Sequence, residues 1–149
     1  MNRDTVIDVT FTLDTSIYAS GDVLSDTVAI TRSALREGDS VVLDSLTIID
    51  EDDQKQPLTA VFLDTNNSLG TKNSAPNISD ANARKVLGHV SVVVGDYVDL
   101  GGVSVACVRN LGLVLKCDPA TTSLYVALIS GGTGTYTVNG LKGKIGIRR

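Results

Sequence analysis

The feature that most constrains this chain is the length of its apolar runs. The longest uninterrupted one, Leu124 to Ile129, has six residues, and the others are shorter. That is far below the ~18 residues of a membrane span, and it suits strands better than packed helices. The stretch Asn110 to Tyr136 sets the pattern. Its runs Leu111 to Cys117 and Leu124 to Ile129 flank Asp118-Pro119-Ala120-Thr121-Thr122. Pro fixes φ and Asp can bond to nearby backbone, so that segment is a turn. The second run puts Leu124, Val126 and Leu128 on one face and Tyr125, Ala127 and Ile129 on the other. A strand apolar on both faces is covered on both sides, either within its domain or by a partner. Gly131, Gly132 and Gly134 end it.

The same logic runs along the whole chain. Val6 to Leu13 alternates, with Ile7, Val9, Phe11 and Leu13 on one face and Asp8, Thr10 and Thr12 on the other. It reads as an edge strand, or as an arm within residues 1–16 reaching a neighbour. Leu24, Val28 and Ile30 mark a second strand. Val41 to Ile49 and Leu58 to Leu63 read as a hairpin whose polar tip is the stretch Asp50 to Pro57. Asp64 to Asn77 is a long loop, of the kind that is usually functional or mobile. Ser79 to Leu87 reads as the one helix, capped by Ser79 and stopped by Gly88. Val90 to Val94 and Val103 to Val108 are strands, and Arg109 to Cys117 either continues the latter past a kink at Gly112 or folds back on it. Leu141 to Ile147 alternates Leu141, Gly143, Ile145 and Ile147 against Lys142, Lys144 and Gly146. Eight or nine short strands with little helix give an all-β class, a jelly-roll-like antiparallel β-sandwich with one short helix, as a single domain over residues 1–149.

Candidate chemistry is sparse. With 149 residues and a net charge of -4, the chain lacks the clustered Lys and Arg that phosphate backbones require, so nucleic acid is not an expected partner. No metal or other cofactor is expected. His89 is the only histidine and reads as a strand residue. The acidic run Asp50 to Asp53 lacks the Gly and Glu spacing of a calcium loop and reads as a solvated tip. Gly131 to Gly134 matches no phosphate-loop spacing. Cys107 and Cys117 read as small, reduced, buried side chains, since no apolar signal core follows Met1 and the chain is expected to be made in a cytoplasm. With no Trp and few aromatic side chains, stacking platforms for sugar are scarce. The chain is read as a non-enzyme.

Four stretches carry a resemblance: Tyr18 to Leu24 (YASGDVL), Leu63 to Asn66 (LDTN), Ile78 to Val93 (ISDANARKVLGHVSVV) and Asn110 to Tyr136. Together they resemble the cement, or head decoration, proteins of tailed bacteriophages, small proteins on the outside of the capsid. The resemblance implies a jelly-roll-like sandwich, no catalytic residues, and a virion location. The implied partners are the major capsid protein and further copies of this chain, as a dimer or trimer. A fibre or receptor-binding module of a phage particle is the alternative. The expected capsid or self-association contacts are the apolar face Ile7, Val9, Phe11 and Leu13 and the cationic end Lys142, Lys144, Arg148 and Arg149.

Overall fold

A computed structural model describes residues 3–149. Ten strands form two antiparallel sheets. They are β1 (Asp4–Thr10), β2 (Val28–Ile30), β3 (Ser40–Asp50), β4 (Leu58–Leu63), β5 (Val86–Val92), β6 (Tyr97–Asp99), β7 (Ser104–Val108), β8 (Leu113–Lys116), β9 (Leu124–Ser130) and β10 (Leu141–Arg148). The first sheet runs β1-β10-β3-β7-β6, with β8 also paired to β3; the second runs β2-β9-β4-β5. Pairing is nested: β1 lies on β10, β2 on β9, β3 on β7 and β8, and β4 on β5. The chain is therefore one long hairpin rolled up so that its arms alternate between sheets. That is jelly-roll order.

The eleven-residue β3 is the spine. β10 covers one of its edges from Val42 to Asp50. Its other edge is shared, with β8 on Ser40 to Leu43 and β7 on Leu46 to Asp50. The segment after β7 thus continues it past a kink, the first of the two readings of Arg109 to Cys117. Asn110 and Gly112 take left-handed φ of 56° and 61° there. Directly opposite, the β10 register slips between Gly146 and Ile147, leaving Asp44 bulged from β3. The Asp44 carbonyl accepts the Leu111 amide at 3.1 Å, which seals the break. A bulge and a kink meeting at one level let a single strand change neighbours without orphaning buried amides.

Three sequence readings need correction. Val41 to Ile49 and Leu58 to Leu63 do not form a hairpin, because β3 and β4 lie in different sheets. The helix α1 (Asp80–Ala83) is a single turn. Ser79 does cap it, accepting the Asn82 amide at 3.2 Å. The residues from Val86 onward leave the helix for β5, where Val86, Val90 and Val92 pair along β4. Tertiary pairing of β-branched residues overrides the local helix signals. Gly88 is no helix stop: a Cβ there would stand 3.1 Å from the Leu113 side chain, so the glycine lets β5 close onto β8. Third, the stretch Gly95 to Gly102, whose glycines read as a turn through Tyr97, Val98 and Leu100, contains the short strand β6.

The core between the sheets is continuous and dry in composition. Phe11, Leu24, Ile30, Leu43, Leu46, Ile48, Phe62, Leu115, Leu124, Val126, Leu128, Leu141 and Ile145 are essentially without solvent exposure. A Cβ on Gly143 of β10 would stand 2.8 Å from Val9 and 3.0 Å from the Phe11 ring, so the missing side chain makes the space that Phe11 occupies. A smaller second core covers the other face of β9. Val23, Leu63, Leu69 and Ala127 are buried there, with Ile78, Tyr125 and Ile129 packed around them. The two-faced apolarity of β9 is thereby satisfied within the chain, by the loop from Asp64 to Ser79. That loop is tied down by Asn73, whose amide donates to the Asp14 carboxylate and to the Ser16 and Ile17 carbonyls, and by the Lys72–Asp26 ion pair.

Phe11→Ala is expected to lower stability by about 3–5 kcal/mol, the cost of a large aromatic cavity, measured by urea unfolding. Removal of residues 1–13 is expected to abolish cooperative unfolding altogether, since the deletion strips β1 and Phe11 from the core.

Candidate functional site

The β1–β10 ladder holds Ile7, Val9, Lys142, Lys144 and Arg148, its backbone extensions hold Phe11, Leu13 and Arg149, and the eight expected contact residues are separated by face. Seven residue pairs run from Asp4↔Arg148 to Thr10↔Lys142. The Phe11 amide bonds the Leu141 carbonyl, and the Arg149 amide bonds Arg3. Odd-numbered residues of β1 therefore bond β10 and turn their side chains inward. Val9, Phe11 and Leu13 are buried in the core, and Ile7 is partly buried against it. This is a correction: that apolar face is consumed by the domain and is not a docking surface.

The cationic end faces outward, and each member is partnered. Lys144 pairs with Asp8 at 2.8 Å, Arg148 with Asp44 at 3.2 Å, and Lys142 with Glu51 and the Asn139 carbonyl. Arg149 donates to the Ser33 and Arg32 carbonyls. Such exposed pairs are worth about 0–1 kcal/mol each, so they set a charge pattern more than they set stability. The outer face reads as rows across the strands: Asp8, Lys144, Thr47 and Cys107 in one, Thr10, Lys142, Ile49, Val105 and Val98 in the next. Val6, Val98 and Val114 stand out on this sheet, each more than 60% exposed. Sequence reading missed them, although the even-numbered place of Val6 beside Asp8 is enough to turn it outward.

The acidic run at residues 50–53 is no solvated tip. Asp50 is completely buried, and its carboxylate accepts the amides of Asp52, Gln54 and Lys55. From there the chain forms a side-chain ladder with the glycine-rich segment. The Asp52 carboxylate accepts the Thr137 amide, Gln54 Oε1 accepts that of Thr135, and Gln56 Oε1 that of Thr133. The two-residue stride on both segments mimics an antiparallel strand pair with side chains in place of one backbone. The glycines permit the approach, since a Cβ on Gly132 would overlap Gln56 Oε1. Burial raises the Asp50 carboxyl above its ordinary range, outweighing the three amides that favour its charge.

The remaining candidates are separate. His89 is exposed on β5, opposite Val61. Cys117 is buried and its thiol is pushed up by that burial, whereas Cys107 is exposed, contrary to the expectation of two buried side chains; both are free. The Tyr18 hydroxyl donates to the Leu24 carbonyl and accepts the Asp14 amide, and that of Tyr97 donates to the Gln56 carbonyl. No group of three or more His, Cys, Asp or Glu among the described residues is arranged to hold a metal ion. No helix among them is long and apolar enough to cross a membrane.

No protein-family model matches the chain, and no curated protein does. Among solved structures it is similar to VP2 of infectious bursal disease virus in a subviral particle, with TM-score 0.24 and 11% identity over 99% of this chain. It is similar also to the Gx strain of that virus, with TM-score 0.22 and 11% identity over 99% of this chain. The chain spans 41% and 38% of the length of those two chains.

Two outcomes follow from this geometry. The folded Asp50 carboxyl binds its proton more tightly than the unfolded one, so its contribution is full below the ordinary value of 3.8 and is lost as pH rises through the folded value. The stability advantage of the wild type over Asp50→Asn, from paired urea titrations, is therefore expected to be larger at acid pH than at neutrality. In thiol labelling, Cys107 is expected to react in the native protein and Cys117 only on unfolding.

Proposed function

We propose that this chain is a capsid cement, or head decoration, protein of a tailed bacteriophage: a non-enzymatic domain that binds the outer capsid surface across adjacent major capsid proteins and stabilises the shell. What supports the reading is where the four family-like stretches lie. Tyr18 to Leu24 runs onto β9, with the Leu24 amide on the Leu128 carbonyl and the Tyr18 amide on that of Gly134. Leu63 pairs with Tyr125 of β9 and Val86 of β5. Ile78 packs into the second core with Val23, Leu63 and Ala127. Stretches far apart in sequence thus converge on one sheet and its cover, as motifs shared for a common architecture would.

The physical character of the domain suits the role. A net charge of -4 keeps it from competing for packaged nucleic acid. Among the described residues, no loop of the kind that closes the other sheet covers the outer face of the β1-β10-β3-β7-β6 sheet, which carries Val6, Val98 and Val114 among paired charges. A single small domain burying about 800 Å² against a partner binds modestly, and several copies acting together dissociate slowly.

The test is to add purified protein to expanded capsids that lack it and heat decorated and bare shells in one series at matched ionic strength. A ligand that binds only the assembled state stabilises it by RT ln(1 + [L]/Kd), about 2.7 kcal/mol per site at a hundredfold excess over Kd. Decorated shells are expected to disrupt at higher temperature. Equal temperatures at full occupancy would overturn the cement reading and favour a host-binding role.

A further inference from the structure

We infer that β1 is a self-association edge: two copies of this chain join through antiparallel pairing of their β1 strands, in one register set by Asp4 and Asp8. This stands independently of any capsid partner.

Because odd-numbered residues of β1 bond β10, the amides and carbonyls of Asp4, Val6, Asp8 and Thr10 point away from the sheet. Among the described residues none of these backbone groups has a partner. A strand edge of this kind is a template for another strand unless it is shortened, bulged, covered, or guarded by Pro or by charges, Lys above all; the charges of β1 are Asp4 and Asp8. β1 has seven residues in unbroken register with β10, and neither Pro nor Lys occurs in it. The other edges differ. β2 and β6 are three residues long, β8 is four, and β5 is bulged at Leu87, where its register with β4 shifts.

Charge then chooses the partner and the register. In an antiparallel pair of identical strands, the outward-bonding residues must face one another as even-numbered pairs. Placing Val6 opposite Val6 sets Asp4 against Asp8 of the other copy, twice. Placing Asp8 opposite Asp8 sets two carboxylates face to face on the axis. Of the registers that pair five or more residues of β1, only the one centred on Ile7 avoids both: Val6 then faces Asp8 of the second copy, and Asp4 faces Thr10. Like charges directly opposite destabilise a strand pair, so among well-overlapped registers the aspartate spacing selects one symmetric dimer. In it Asp8 keeps its ion pair with Lys144 of its own chain. The exposed side chain of Val6 is covered, and the two first sheets become one continuous sheet. A single strand pair buries less than a standard interface, so the association is concentration-dependent.

The experiment is sedimentation equilibrium of the full chain over a wide concentration range, with circular dichroism and thermal melting to verify the fold of each variant. The wild type is expected to dimerise. Val6→Pro, which removes only an outward amide and is of a kind tolerated on edge strands, is expected to be monomeric. Val6→Glu sets a carboxylate against Asp8 at two symmetric places and is expected to weaken the dimer roughly tenfold. Val6→Lys at the same places is expected to tighten it. Should the Pro variant fail to fold, the opposite signs of the Glu and Lys variants decide. A wild type that stays monomeric at every concentration overturns the inference. So does a dimer indifferent to these substitutions, or one that Glu and Lys shift in the same direction.

Discussion

The hydrogen-bonding demand of β3 is the constraint on which the rest of the sandwich depends. Eleven residues in the middle of a sheet present backbone donors and acceptors along both edges, and buried ones must find partners. β10 meets one edge, and no other strand is long enough to meet the second alone, so β8 and β7 divide it. The bulge at Asp44 and the left-handed residues at Asn110 and Gly112 follow from that division. Bringing β10 beside β3 puts Gly143 over Phe11 and draws β1 into the ladder, which commits the inner face of the first strand to the core.

The two sheets are finished differently on their outer sides. The sheet containing β9 borrows a loop, and Leu69 and Ile78 give it a second apolar layer. The sheet containing β3 is finished with alternating charge, as Asp8, Lys144, Asp44 and Arg148 balance one another at its surface. At the corner where β3 leaves for β4, side chains do the work of a strand, as Asp52, Gln54 and Gln56 receive the amides of Thr133, Thr135 and Thr137. Polar residues in this chain therefore mostly hold the backbone in place, which is also why the shifted carboxyl of Asp50 marks an anchor point.

How much of this was legible in the sequence depended on how local each cause is. Alternation in Val6 to Leu13 and Leu141 to Ile147 gave the strands and their inward faces, because side-chain period is a property of the strand itself. The destination of a strand is not local. Val41 to Ile49 and Leu58 to Leu63 look like hairpin arms, and nothing near them announces that a sheet boundary lies between. Gly88 was ambiguous for the same reason, since the side chain it makes way for, Leu113, is distant in sequence. For the contact surface, the cations Lys142, Lys144 and Arg148 were legible, but the carboxylates that meet them come from β1, β3 and the turn after β3. Asp50 read as solvated because its acceptor role becomes visible only once the chain has turned around it.

Nested pairing also bears on how the chain comes to be folded. The innermost pair, β4 and β5, needs only the intervening loop to close, whereas β1 must wait for β10 at the far end of the chain. Ring closure over such separations is entropically costly and makes folding slow. During synthesis β10 emerges last, yet its place is in the interior of a sheet, between β1 and β3. Until it arrives, β3 has a bare edge and Phe11 has no roof, the kind of nascent state that aggregates when crowded. β10 is thus the strand that both joins β1 to β3 and closes the first sheet over Phe11.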